Sequence, residues 1–153
     1  RQLYQFAAHQ YSTSTATTGA EIILPVGTES SGEMLSGHFY AGKEKTIVAL
    51  NSNGIQMNGK NNSLAAEIPT LHVLSSQQAY AITVSFDPCI SKRDNKTETI
   101  QIESMNISPI IGFKEMESVS DSYSVRAILL VGPSQSPGQY VSGSPYTVTV
   151  HFN

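Results

Sequence analysis

The sequence predicts an all-β sandwich, and three observations carry that prediction. The last segment, in "SPYTVTVHFN", alternates strictly: Tyr146, Val148, Val150 and Phe152 fall on one face, Thr147, Thr149 and His151 on the other. The same period of two recurs in Tyr80, Ile82, Val84 and Phe86, and again in Tyr123, Val125, Ala127, Leu129 and Val131. Clusters of Gly, Ser, Asn and Pro separate these runs at short intervals, which is the punctuation of strands and turns.

Taken in order, "AEIILPV" from Ala20 to Val26 reads as a strand, then "HFYA" between Gly37 and Gly42, then "KTIVAL" from Lys45 to Leu50. "NSNG" follows; its Asn53-Gly54 pair predicts a hairpin, because a tight turn needs positive φ. "IQM" is a short strand ended by a second such pair, Asn58-Gly59. "TLHVL" follows Pro69, "AYAITVSF" carries the alternation at Tyr80, and "TETIQIE" alternates Ile100 with Ile102. "YSVRAILLV" has Ile128 and Leu130 on its second face, so it reads as a central strand. Helix signals are weak. The best short candidate is "NNSLAAEI", Asn61 to Ile68, stopped by Pro69; "GFKEMESV" reads as a helical turn.

The chain has 153 residues, enough for one domain with a real core. Charged residues are only 14% and the formal net charge is −3, which argues against a nucleic-acid-binding or disordered chain. No apolar run approaches a membrane span. The chain begins at Arg1 without an apolar leader, which leaves open a leader removed earlier or a trimmed N-terminus. Cys89 is the only cysteine, so no disulfide forms within the chain. Cys89 is expected to be free.

Catalytic and metal chemistry find no pattern. His9, His38, His72 and His151 are scattered without ligand spacing, so no metal is expected. No G-x-S-x-G elbow exists, and "VSGSP" only echoes it. Glu115 and Glu117 in "KEMES" have the residue types of an acid–base pair, but on a strand they simply share one solvated face. No phosphate-cradling glycine loop is present, and no cofactor or enzymatic activity is expected. Three N-x-S/T triplets, at Asn61, Asn95 and Asn106, arise readily by chance in an Asn- and Thr-rich chain. "PCISKRDNKTE", Pro88 to Glu98, reads as an exposed loop. Lys92, Arg93 and Lys96 in it form the densest basic cluster and are the candidate ligand loop, for an acidic glycan or matrix protein.

The two ends of the chain carry a family resemblance. "PGQYVSGSPYTVTVHFN" resembles the last segment of chaperone–usher fimbrial subunits: Gly138 and Tyr140 match a G-x-Y element before an alternating final strand, and Phe152 matches the aromatic next to last. Gly138 lies further from the end than in the usual pattern. "HQYSTSTATTGAEIILPV" looks like the N-terminus of the thin, capsule-like and atypical fimbrial group, with a Thr/Ser/Ala-rich extension before an "IILPV" strand. The resemblance implies an immunoglobulin-like sandwich that lacks its last strand. A periplasmic chaperone would fill the groove first, and at the outer-membrane usher the extension of the next subunit would replace it.

On that basis residues 1–18 are the donor extension and 19–153 the pilin domain. The acceptor edge and chaperone contact would be Tyr146, Val148, Val150, Phe152 and Asn153. Two donor registers alternate: Tyr4, Phe6 and Ala8 inward, or Leu3, Ala7 and Tyr11 inward. The function implied is a structural subunit of a bacterial surface fimbria, reached through the periplasm, with adhesion to host-cell receptors as an added role. The expected partners are neighbouring subunits, the chaperone, the usher and a host glycan or matrix protein, with no nucleic acid. The alternative is a self-contained extracellular binding module, a lectin or receptor domain. A β-rich viral coat protein is a third reading.

Overall fold

The computed structural model describes residues 3–15, 21–23, 34–74, 80–109, 120–143 and 146–152. Its strands are β1 (Leu3–Thr15), β2 (Glu21–Ile23), β3 (Met34–Tyr40), β4 (Thr46–Asn51), β5 (Gly54–Met57), β6 (Lys60–Asn62) and β7 (Ala66–Glu67). They continue with β8 (Thr70–Leu74), β9 (Tyr80–Ser85), β10 (Cys89–Lys92), β11 (Asn95–Pro109), β12 (Ser120–Val131), β13 (Gly138–Val141) and β14 (Tyr146–Phe152). The fold is all-β and sandwich-like, with no helix among the described residues. Hydrogen-bonded neighbours run β6-β5-β4-β12-β11-β10-β13-β1-β14-β9; β8 pairs with β12 and β2, and β3 with β1 and β7.

β12 is central. Ala127 to Leu130 are paired with β11 and with β4 at the same time. Val125, Ala127, Leu129 and Val131 are buried, while Ile128 and Leu130 on the second face are half-buried. A strand paired on both edges and covered on both faces tolerates apolar residues at every position. β9 keeps the alternation in milder form: Tyr80, Ile82 and Val84 are half-buried against the core, and Ala81, Thr83 and Ser85 are exposed. The Tyr80 hydroxyl is hydrogen-bonded to that of Tyr123 on β12, with the rings edge to face at 6.3 Å, so this pair joins the two strands across the interior.

Both Asn-Gly pairs lie at hairpin turns. Asn51 pairs with Gly54 around Ser52 and Asn53, and only Gly54 has positive φ, at 100°. Met57 pairs with Lys60 around Asn58 and Gly59, which both have positive φ, 48° and 82°; this is the primed turn whose twist suits a two-residue hairpin.

The structure corrects two local expectations. Asn61 to Ile68 contains no helix: it holds the end of β6, a bend and β7, and the Ala66 and Glu67 backbone pairs with β3. Tertiary pairing overrides a weak helical preference here. Pro88 to Glu98 is not a loop but mostly a hairpin of β10 and β11 around Arg93 and Asp94, and its Ile90 is fully buried. Cys89 in it is exposed and free. The "GFKEMESV" stretch and the Glu115–Glu117 pair lie outside the described residues.

One glycine is dictated by packing. β3 buries Leu35, Gly37 and Phe39 in alternation, and a Cβ on Gly37 would stand 2.7 Å from both Ile55 Cδ1 and Leu50 Cδ2. Those are branched core side chains with little room to retreat. Gly37→Val is therefore expected to lower unfolding free energy by about 1–3 kcal/mol or more through overpacking. Gly42→Ala, where nothing lies within 4 Å of the added Cβ, should change it by less than about 0.5 kcal/mol in the same urea titration.

Candidate functional site

The feature that singles itself out is the slot along the end of the chain. β13 and β14 follow one another in the chain, and β1 runs parallel to both. Tyr4 to Ala7 pair with Gly138 to Val141, and Gln10 to Thr15 pair with Tyr146 to His151. Ala7 and Gln10 are three positions apart where Val141 and Tyr146 are five apart, so the extra length on the β13–β14 side is two residues. An even insertion leaves every position on its original face of the pleat.

β1 is also paired on its other edge. Leu3 to His9 run antiparallel to β3, so residues 4–7 lie between β13 and β3. Tyr4, Phe6 and Ala8 occupy the register positions opposite Phe39, Gly37 and Leu35, the buried set of β3; Leu3 and Ala7 stand opposite Tyr40 and Ser36. β14 is likewise paired on both edges, with β1 on one side and β9 on the other. Tyr146 and Val148 are buried; the side chains of Val150 and Phe152, and Asn153, lie outside the described residues. Both edges of β14 are thus paired within the chain, by β1 and β9.

The start of the slot is held by a small polar network. Gly138 has φ of 146°, a conformation that L side chains rarely adopt, and the Lys92 side chain lies where its Cβ would be, with Cε 2.7 Å away. Lys92 Nζ donates to Ser136 Oγ at 3.0 Å and meets Asp94 at 3.6 Å, and the Arg93 N–H donates to the Gln139 carbonyl at 2.9 Å. Tyr140 is fully buried, and its hydroxyl donates to the Ser136 carbonyl. The Gln135 amide donates to the Tyr140 hydroxyl and the Thr99 carbonyl, both at 3.0 Å, and to Glu98 at 3.2 Å. Gln135 Oε1 accepts from the Gly132 N–H. One glutamine therefore ties the turn before β13 to β11 and to the buried tyrosine. At Ser142 a buried hydroxyl has no hydrogen-bond partner among the described residues.

These contacts bring together two regions that the sequence kept apart. Lys92 and Arg93 brace the segment that opens the slot, while Lys96 is exposed. Among the described residues no cluster of His, Cys, Asp and Glu could hold a metal ion, and no helix is long and apolar enough to cross a membrane. Gln135 and Ser136 were not singled out by sequence; in "PSQSPG" they carry only the composition of a turn. No protein-family model, curated protein or solved structure matches the chain.

Tyr140→Phe removes a buried hydroxyl and leaves the Ser136 carbonyl and a Gln135 N–H to find other partners. Chemical denaturation should show a loss of about 1–3 kcal/mol. Gly138→Ala should destabilise as well, and pairing it with Lys92→Ala should recover part of the loss in a double-mutant cycle; the remainder belongs to the backbone conformation. Ser142→Ala should be neutral or slightly stabilising, since the hydroxyl it removes is buried without a partner.

Proposed function

We propose that this chain is a structural subunit of a bacterial surface fimbria, assembled by exchange of its N-terminal strand and exported through the periplasm with a chaperone and an outer-membrane usher. The observation that supports this reading best is the placement of β1. A terminal strand enters the fold through parallel ladders with β13 and β14 and an antiparallel ladder with β3. Every one of those ladders could be made equally by the β1 of a second copy.

The physics of exchange follows from that symmetry of contacts. Swapping an identical element between copies keeps each hydrogen bond and each register, so its free-energy cost is small. If a first subunit receives the β1 of a second and passes its own to a third, the contact is head to tail, and head-to-tail contacts that do not close make filaments. Residues 1–18 then act as the donor, with Tyr4, Phe6 and Ala8 in the register opposite the buried β3 positions. The donated strand supplies main-chain hydrogen bonds along the β13–β14 edge, and its alternate side chains give specificity. The fimbrial resemblance of both chain ends points the same way. Nothing in this role calls for catalysis or a cofactor.

The same placement of β1 favours a second reading. A chain that fills its own slot is a complete extracellular binding module and has no need to polymerise. Deletion separates the two. On the assembly reading, a chain lacking residues 1–18 exposes the apolar edge of Tyr146 and Val148 and aggregates when expressed alone. A peptide of residues 1–18 added in trans should restore a soluble 1:1 complex, and the full-length chain should form polymers that the truncated one cannot. A truncated chain that stays monomeric and folded without the peptide, together with full-length protein that never polymerises with its export partners, would overturn the assembly reading.

A further inference from the structure

We propose that the groove between the end of β3 and the β5–β6 hairpin is a binding site for an anionic saccharide unit. The groove has a volume of about 610 Å³, within the usual range for a small-ligand site. Tyr40 and Met57, both half-buried, line it with apolar surface. Lys60, Asn61 and Asn62 line it with polar atoms.

The ammonium and amide groups that remain available are donors, and the Tyr40 and Ser63 hydroxyls, able to donate or accept, line the groove with them. Asn61 Oδ1 accepts from Gln56 Nε2 at 3.1 Å, and Asn62 Oδ1 accepts from the Leu64 N–H at 2.9 Å, so both carbonyl ends are engaged. The Asn61 amide NH₂ makes no hydrogen bond among the described residues. The Asn62 NH₂ meets only the Met57 thioether at 3.3 Å, a weak acceptor that an oxygen would displace. Lys60 forms no ion pair among the described residues and adds three more donors. A lining of one ammonium, two amide NH₂ groups and two hydroxyls beside Tyr40 and Met57 suits a ligand rich in acceptors, with one negative charge and an apolar ring face. A sugar ring carrying a carboxylate or a sulfate ester has that chemistry; a neutral sugar leaves the ammonium unused.

The site is pre-formed. The Asn58-Gly59 turn sets the hairpin, the Asn58 N–H donates to the Ile47 carbonyl at 2.8 Å, and Asn58 Oδ1 accepts from the Ile47 N–H at 2.9 Å. Little ordering is then left to be done on binding. The proposal extends the adhesive role that the fimbrial resemblance implies and fits the binding-module reading equally, and it does not depend on polymer formation, because all the residues belong to one chain.

The test is NMR titration of the full-length chain with methyl β-glucuronide, with a 6-sulfated methyl galactoside and with methyl β-galactoside. Shifts are expected at Tyr40 and Lys60 to Asn62 with one or both anionic glycosides, and the arm that responds names the anion. The neutral glycoside should bind at least about tenfold more weakly, and Lys60→Gln should abolish that difference while leaving the rest of the spectrum unchanged. Affinity should fall as salt is raised. Equal response to charged and neutral glycosides, shifts that map instead to Arg93 and Lys96, or no response to any glycoside would each overturn the proposal. None of those results bears on strand exchange, which is tested separately by truncation and polymerisation.

Discussion

Among the described residues, the ladders of β1 are what join the β3–β7 and β14–β9 pairs to the rest of the sheet. Over residues 4–7 its backbone is hydrogen-bonded to β13 on one edge and β3 on the other, and over residues 10–15 it pairs with β14, which in turn pairs with β9. Remove β1 and β13, β14 and β3 each lose a partner along an edge. Main-chain groups left unpaired and buried are costly, and apolar edges left open associate with one another. The position of the first described strand therefore governs whether that edge of β14 is covered.

The segment that pairs with β1 is also held by contacts of its own. Gly138 adopts a backbone conformation that other residues rarely take, and the Lys92 side chain lies against it. Gln135 and the buried Tyr140 fix the turn that leads into β13. The hydrogen bonds of Lys92 and the Arg93 backbone run to the same segment from β10 and its turn. On the proposed function, a braced β13 and a strand that pairs along it are the two parts that strand exchange needs.

Much of this fold is legible in the sequence, wherever a single period rules a segment. The alternation from Tyr123 to Val131 marks a strand whose buried face is the one seen, and the Asn-Gly pairs mark both hairpins around β5. The period fails where a bulge intervenes: β11 buries Ile100, Ile102 and then Met105, because the register shifts between Ile102 and Ser104. It fails again in Pro88 to Glu98, where polar residues on a short two-edged hairpin surround one buried Ile90. The Tyr40–Lys60 groove was not legible at all, since its residues come from β3 and from a hairpin that only the fold brings beside it. The placement of β1 was half legible. Alternation at Tyr4, Phe6 and Ala8 marks a strand, but no local pattern says which edge it joins or whose.

Paired cysteines report on that last point directly. Thr13 and Thr149 face each other across the β1–β14 ladder. In a Cys89→Ser background, Thr13→Cys with Thr149→Cys should form a disulfide readily, whereas Thr13→Cys with Thr147→Cys, two positions out of register, should not. Monomeric protein should carry the bond within one chain. Assembled protein should carry it between chains and run as a ladder of covalent multimers on a non-reducing denaturing gel. Polymers whose bonds all lie within single chains, or no preference for the matched pair, would contradict the account.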